Sequence, residues 1–137
     1  MLDTNVYLSA LISPAGPPAR IVDLWLDGRF DVVSSDPIEA EVLEGLEREK
    51  IRRYIRRSPD WIRRFLRALR QATIWVEPAV VDVIPQDPPD NLVIGTAIAG
   101  AVDFVVSGNR HLLELGNYES IQIVTPRRFL DAFDAST

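Results

Sequence analysis

The chain has 137 residues, 47% of them hydrophobic, which fits one domain with a sizeable core and is too short for two ordinary ones. A formal net charge of -5 excludes whole-molecule attraction to nucleic acid, so any such contact must come from a local patch or from metal ions. The absence of Cys excludes disulfides, zinc–thiolate sites and thiol catalysis.

No run approaches the ~20 apolar residues of a membrane span. The opening MLDTNVYLSALIS carries an acid where a signal peptide has a basic region, and the lack of Cys is compatible with the cytoplasmic location expected here. The same stretch reads as the end of a strand that becomes a helix, and SPAGPP breaks it. Arg20–Leu26 reads as a helix stopped near Gly28. FDVVSS is a short β-branched strand. Ser35 or Asp36 can cap the next helix, with Pro37 in its first turn, and that helix is expected to run toward Lys50. Ile51–Arg57 and Pro59–Gln71 read as strongly basic helices, and TIWVEP as a strand. In QDPPDNLVIGTAIAGA, Asp87 is the expected N-cap, Pro88 sits at the first helical position and Asp90 lies in the first turn. DFVVSG is a strand, Arg110–Leu115 a short helix and IQIVT a last strand. Thr125 and Pro126 then start a closing helix over PRRFLDAF. Strands alternating with helices predict an α/β fold, a three-layer α/β/α sandwich around a parallel sheet, with residues 1–137 forming one domain.

Three acids stand where such a sheet presents ligand-binding groups. Asp3 ends the first apolar segment, Glu41 lies in the first turns of a helix after a strand, and Asp90 lies in the first turn of another helix. Strand C-termini and helix N-termini gather at one sheet edge, and helix N-termini favour negative charge. Each acid taken alone also reads as simple capping. Periodicity does not single out Glu41. Ile38, Val42 and Leu46 mark the buried stripe, flanked by Glu41 on one side and Glu39 on the other. Gly45, four residues on, would leave room above the Glu41 carboxylate. SGNRH follows the strand at Val102–Val106 and places Asn109 where a carboxylate would complete an acidic edge.

Together these stretches resemble the PIN-domain family, in the branch that contains toxins of toxin–antitoxin systems. LDTNV, GPPARIVDLWLDGRFDVVSS, EVLEGLEREKIRRY and DPPDNLVIGTAIAGAVDFVVSGNRHLLELGNYESIQIVTPRRFL carry the resemblance, in order, over essentially the whole chain. The resemblance implies a small domain with a central parallel sheet of about five strands. It implies a Mg²⁺- or Mn²⁺-dependent ribonuclease that hydrolyses RNA phosphodiesters with metal-activated water, pairs with a cognate antitoxin and forms a homodimer. The family's metal-binding acids fall on Asp3, Glu41 and Asp90. Its assisting polar residues fall on Asn5 and Ser107. Its fourth acid falls on Asn109, which is the departure from the pattern. A second departure is that only Met1 and Leu2 precede Asp3. At ~3.3 Å per residue that is too short for the family's central strand, so either the numbered chain lacks native residues or the true start lies upstream, and a loss of that strand would weaken the middle of the sheet.

Phosphodiester hydrolysis needs an activated water and compensation of charge on the phosphate, both of which a hard divalent cation on oxygen ligands supplies. Without a cation, two carboxylates ~4 Å apart at an effective dielectric of ~20 repel by about 4 kcal/mol. Asn109 keeps the shape of Asp and one carbonyl oxygen but drops one charge. The expectation is one metal on Asp3, Glu41 and Asp90, with Asn5, Ser107 and Asn109 positioning water or substrate.

Arg and Lys concentrate in REKIRRYIRRSPDWIRRFLRALR. Arg52, Arg53, Arg56 and Arg57 are candidates for an RNA- or partner-binding patch, with Tyr54, Trp61 and Phe65 as stacking surfaces. The plainer reading is two amphipathic helices with solvated Arg faces, in which Trp61, Phe65, Leu66 and Leu69 are core. His111 reads as a surface or capping residue rather than a general base.

Rival folds fit poorly. A receiver-type domain needs a Lys on a later strand, and the one lysine, Lys50, falls on a predicted helix. A haloacid dehalogenase-type phosphatase needs an acid where Asn5 stands. The remaining alternative is a PIN-fold module that binds RNA or an antitoxin without turnover because Asn109 replaces the fourth acid.

Overall fold

The computed structural model describes residues 1–84 and 88–136, and the expected N-cap Asp87 lies outside them. Asp3 ends the first extended segment because its carboxylate accepts the Thr4 N–H, and α1 (Thr4–Ile12) follows. Two prolines open α2 (Pro17–Leu26), and Gly28 turns the chain out of it at φ +74°. Strand β1 (Val32–Ser34) leads into α3 (Asp36–Glu47), whose N-cap is Ser35. The Ser35 hydroxyl makes no capping bond and instead meets that of Thr96 at 2.8 Å, inside the protein.

The helix expected to reach Lys50 stops at Glu47. Arg48 takes extended backbone between α3 and α4 (Glu49–Tyr54), although neither Gly nor Pro stands there. Tertiary contact favours the break. The Arg56 N–H reaches the Leu11 carbonyl at 2.9 Å, and Arg57 Nε reaches the Ala10 carbonyl at 2.9 Å. Both bonds satisfy carbonyls that the C-terminal end of α1 leaves open.

Ser58 caps α5 (Pro59–Gln71) by accepting the Trp61 N–H, as the Ser-Pro start predicts. Strand β2 (Thr73–Trp75), α6 (Pro88–Ala99), β3 (Phe104–Val106) and α7 (Arg110–Leu115) follow. A two-residue strand β4 (Asn117–Tyr118), absent from the predicted elements, forms a hairpin with β5 (Ile121–Val124). Thr125 then caps α8 (Pro126–Ala135).

The fold is mixed α/β, mostly helical, with small sheets. The single parallel sheet of about five strands is replaced by two: parallel β1–β2, and β3–β5–β4 with β4 antiparallel. Residues 1–3 run beside β3 and are held by Met1 N–H to Phe104 C=O, Val106 N–H to Met1 C=O and Asp3 N–H to Val106 C=O, at 2.9–3.0 Å. No backbone hydrogen bond joins residues 1–3 to β1 among the described residues, so the two sheets stay separate. A cleft of about 460 Å³ lies at the N-terminal ends of β1 and β3, lined by Phe30, Val33, Phe104 and Phe129 among others. None of the site acids lines it.

Side chains of β3 alternate between two cores, as a strand covered on both faces requires. Val106 packs with Leu2, Tyr7, Trp25, Phe65 and Phe129, whereas Val105 packs with Met1, Ile38, Ile94, Leu112 and Ile123. In the first core Tyr7, Trp25 and Phe65 meet at ring-centroid distances of 6.0–6.4 Å. No helix among the described residues is long and apolar enough to cross a membrane.

The segment before α6 is strapped to it. Asn91 Oδ1 accepts the N–H groups of Val83 and Ile84 at 2.9 Å each, and its Nδ2 donates to the Ile84 carbonyl at 3.0 Å. One turn on, the Ala79 N–H bonds the Gly95 carbonyl, and a Cβ at Gly95 would collide with the Ala79 carbonyl oxygen. Gly→Ala inside a helix ordinarily gains about 1 kcal/mol. Here the obstacle is backbone, so Gly95→Ala is expected to lose about 1–3 kcal/mol. Thermal unfolding checks this, and a raised melting temperature would show that the strap is not held.

Candidate active site

Asp3, Ser107 and the start of α3 gather at the C-terminal ends of the strands. The Asp3-to-Val106 backbone bond sets Asp3 beside Ser107, the first residue after β3. Both are buried, Asp3 at 8% exposure and Ser107 at 0%. Ser107 Oγ donates to Asp3 Oδ2 at 2.7 Å, and Asp3 Oδ1 accepts the Thr4 N–H at 2.8 Å. A buried carboxylate needs such donors, because burial otherwise disfavours its charge.

Glu41 reaches the same place from α3. Thr4 Oγ1 donates to Glu41 Oε2 at 3.1 Å, while the rest of the Glu41 side chain faces solvent. Gly45 does not leave room above this carboxylate. A Cβ there would stand 2.7 Å from Leu8 Cδ1, so the missing side chain lets α3 approach α1. That close approach brings Thr4 within reach of Glu41.

Asp90, 6% exposed in the first turn of α6, accepts from Asn109 Nδ2 at 3.1 Å. Asn109 N-caps α7: its Oδ1 accepts the His111 N–H at 2.9 Å, and its own N–H donates to Ser107 Oγ at 2.9 Å. A continuous chain of hydrogen bonds therefore runs Asp90, Asn109, Ser107, Asp3, Thr4, Glu41. Asn5 is exposed on the first turn of α1, next to Thr4. His111 is half-buried, and its backbone N–H receives the cap from Asn109. Thr4 is the member that the sequence reading passed over. Its adjacency to Asp3 was the one available signal, and nothing in the sequence tells that its hydroxyl faces Glu41.

The donor set is all oxygen from carboxylate, amide and hydroxyl groups, the chemistry a hard divalent cation selects. Among the described residues no three His, Cys, Asp or Glu side chains converge closely enough to form a ligand group by themselves. The relay links the acids through Thr4, Ser107 and Asn109 instead. Residues 1–111 match the PIN domain. The chain belongs to the PIN-domain family. Members of this family are typically nucleases, and PIN-domain nucleases generally use divalent metals. The chain is also similar to the uncharacterized protein MJ1680 of Methanocaldococcus jannaschii, with 26% identity over 142 aligned residues covering 98% of this chain and 90% of that protein.

The basic region of this PIN domain divides in two. Arg52, Arg53 and Arg56 are exposed near the C-terminal end of α1, with Arg53 paired to Glu49 at 3.0 Å. Arg57 is turned inward, its side chain only 10% exposed. Its guanidinium lies 4.1 Å over the Trp61 ring and 3.6 Å from Asp23, and its Nε holds the Ala10 carbonyl. Trp61 in turn stacks on Phe65 at 5.5 Å and donates its indole N–H to Asp23. Trp61 is thus engaged by both the Arg57 guanidinium and the Phe65 ring, and Phe65 is fully buried. Tyr54 is the stacking candidate left exposed, at 47%.

Proposed function

We propose that this chain is a metal-dependent endoribonuclease, the toxin of a toxin–antitoxin pair. The observation that carries the reading is the hydrogen-bonded relay that joins Asp3, Glu41 and Asp90 at the strand edge of a PIN domain. Asp3, Glu41 and Asp90 would hold Mg²⁺ or Mn²⁺. When bound, the cation supplies an activated water and charge compensation on the phosphate. The protein's own part is positioning. Ser107 and the Thr4 N–H fix the two Asp3 oxygens, the Thr4 hydroxyl orients Glu41, and Asn109 orients Asp90. Asn5 stands exposed at the rim, where it can hold a water or a ribose hydroxyl. A cognate antitoxin and a second copy as protein partners, and a cytoplasmic location, rest on the resemblance of the chain to the toxin branch. Mn²⁺-dependent cleavage of single-stranded RNA, abolished by EDTA, tests the reading.

Arg52 and Arg56 would take the RNA backbone. They lie toward the far end of α1, whose nine residues span about 14 Å from the acids at its start. Replacing both with Ala is expected to weaken RNA binding and to flatten the log K against log salt slope by roughly 1.4, the value for two contacts on single-stranded nucleic acid. Arg57→Ala should leave that slope alone and lower the melting temperature, since its side chain holds α1 and Trp61. An unchanged slope in the double variant would exclude the patch.

One observation favours a second reading. Asn109 gives Asp90 an amide proton at the place where the family pattern has a fourth carboxylate. A PIN-fold module that binds RNA or an antitoxin without turnover would keep the fold and the Arg face. It would show RNA binding with the same salt dependence and no cleavage in Mn²⁺.

A further inference from the structure

We infer that Asn109 makes the assembly of this acidic edge independent of a bound cation. The inference rests on the reading of the edge as the cation site. The orientation of the Asn109 amide is fixed by chemistry. The His111 N–H can bond only an acceptor, so Oδ1 faces it at 2.9 Å and Nδ2 must face Asp90 Oδ1 at 3.1 Å. The Asn109 backbone N–H meanwhile donates to Ser107 Oγ, which frees the Ser107 proton for Asp3 at 2.7 Å. One residue thus joins Asp90 to Asp3 while capping α7, and every bond it makes pairs a donor with an acceptor.

An Asp at this position would keep the cap on His111, because one carboxylate oxygen replaces Oδ1 with no change of role. The other oxygen would face Asp90 Oδ1 with no proton between them. Two carboxylates so placed need a cation, a proton or a displacement of α6 from α7. The Asn109 carboxamide supplies that missing positive end from within the chain. Asn109 is therefore a positioning residue that replaces a structural demand for metal with a neutral hydrogen bond. The three carboxylates that would hold the cation, Asp3, Glu41 and Asp90, are thereby positioned before it binds.

Thermal unfolding of the full chain and of Asn109→Asp and Asn109→Ala, each in EDTA and in Mn²⁺ without RNA, tests this. The unsubstituted chain is expected to have the highest melting temperature of the three in EDTA and to gain less from Mn²⁺ than Asn109→Asp does. Asn109→Asp is expected to melt about 5 °C lower in EDTA and to recover most of that loss in Mn²⁺. Asn109→Ala, which loses both the cap and the bond to Asp90, should be lowered equally in both media. A purely structural role would lower both variants alike and give neither a larger Mn²⁺ shift than the unsubstituted chain. The inference is overturned if Asn109→Asp matches the unsubstituted chain in EDTA, if its Mn²⁺ shift is no larger, or if it stays unfolded in both media. The nuclease reading fails separately, through absent RNA cleavage by a folded chain.

Discussion

Asp3→Asn is expected to reduce Mn²⁺-dependent RNA cleavage by at least about 100-fold, in the range seen when one positioned electrostatic group is removed from an active site. The reason is charge rather than shape. Asp3 is a buried carboxylate at the centre of the relay, between Ser107 and Thr4. The new amide keeps one carbonyl oxygen for the Thr4 N–H. Its NH₂ end faces Ser107 Oγ, whose hydroxyl can rotate to accept it. The hydrogen bonds therefore survive with one donor reversed, and the fold should be retained. What is lost is a full negative charge at the position that would hold the cation. Circular dichroism and melting temperature separate this from unfolding. Cleavage within a few-fold of the unsubstituted chain would remove Asp3 from the catalytic set.

Phe65→Ala should cost about 3–5 kcal/mol, the range for truncating a buried aromatic. Phe65 is fully buried on α5, with Tyr7 of α1 at 6.0 Å, Trp25 of α2 at 6.4 Å and Trp61 stacked at 5.5 Å. Removing it opens a cavity that no neighbour can fill without leaving its own contacts. It also removes the surface beneath Trp61, and so loosens the Arg57 stack and the bond from Trp61 to Asp23. Against a typical net stability of ~5–15 kcal/mol this is a large fraction. Tyr7 lies one turn beyond Asp3 on α1, so the damage should reach the site. Denaturant unfolding measures the loss. A change below about 1 kcal/mol would mean that the three-helix aromatic cluster does not hold the first core.

Those two residues also show what could be read from the chain. Trp61, Phe65 and Leu69 recur at helical spacing, and that spacing marked the α5 face that the structure buries or half-buries. Ser58-Pro59 and Thr125-Pro126 placed the starts of α5 and α8, because a hydroxyl cap followed by Pro is a local signal needing no tertiary partner. Where tertiary contacts decide, the local signal ran out. The break at Arg48 has no Gly or Pro to announce it, and β4 is two residues of a hairpin that follows Gly116 and turns through Glu119 at positive φ. The single sheet became two because, among the described residues, no backbone hydrogen bond joins residues 1–3 to β1.

The candidate site was legible in part for the same reason. Asp3, Asp90 and Ser107 were marked by their places after strands or at helix starts. Periodicity set Glu41 and Glu39 on the two sides of the buried stripe and could not choose between them; the family resemblance falls on Glu41, and in the structure the Thr4 hydroxyl meets it. Arg57 looks like Arg56 in sequence, yet one covers Trp61 and the other faces solvent. Nothing in the alternation of Arg and apolar residues carries that difference.

Three carboxylates, with Asn109 in place of a fourth, are proposed to form a working divalent-cation nuclease site. Its most direct test is cleavage of a generic single-stranded RNA in Mn²⁺ and in EDTA by the unsubstituted chain, Asp3→Asn and Asn109→Asp, each shown to be folded. The expected result is Mn²⁺-dependent cleavage by the unsubstituted chain that Asp3→Asn abolishes. Cleavage by Asn109→Asp alone would contradict the claim by showing a site one charge short. Absence of cleavage by all three folded proteins would contradict it in favour of the binding module.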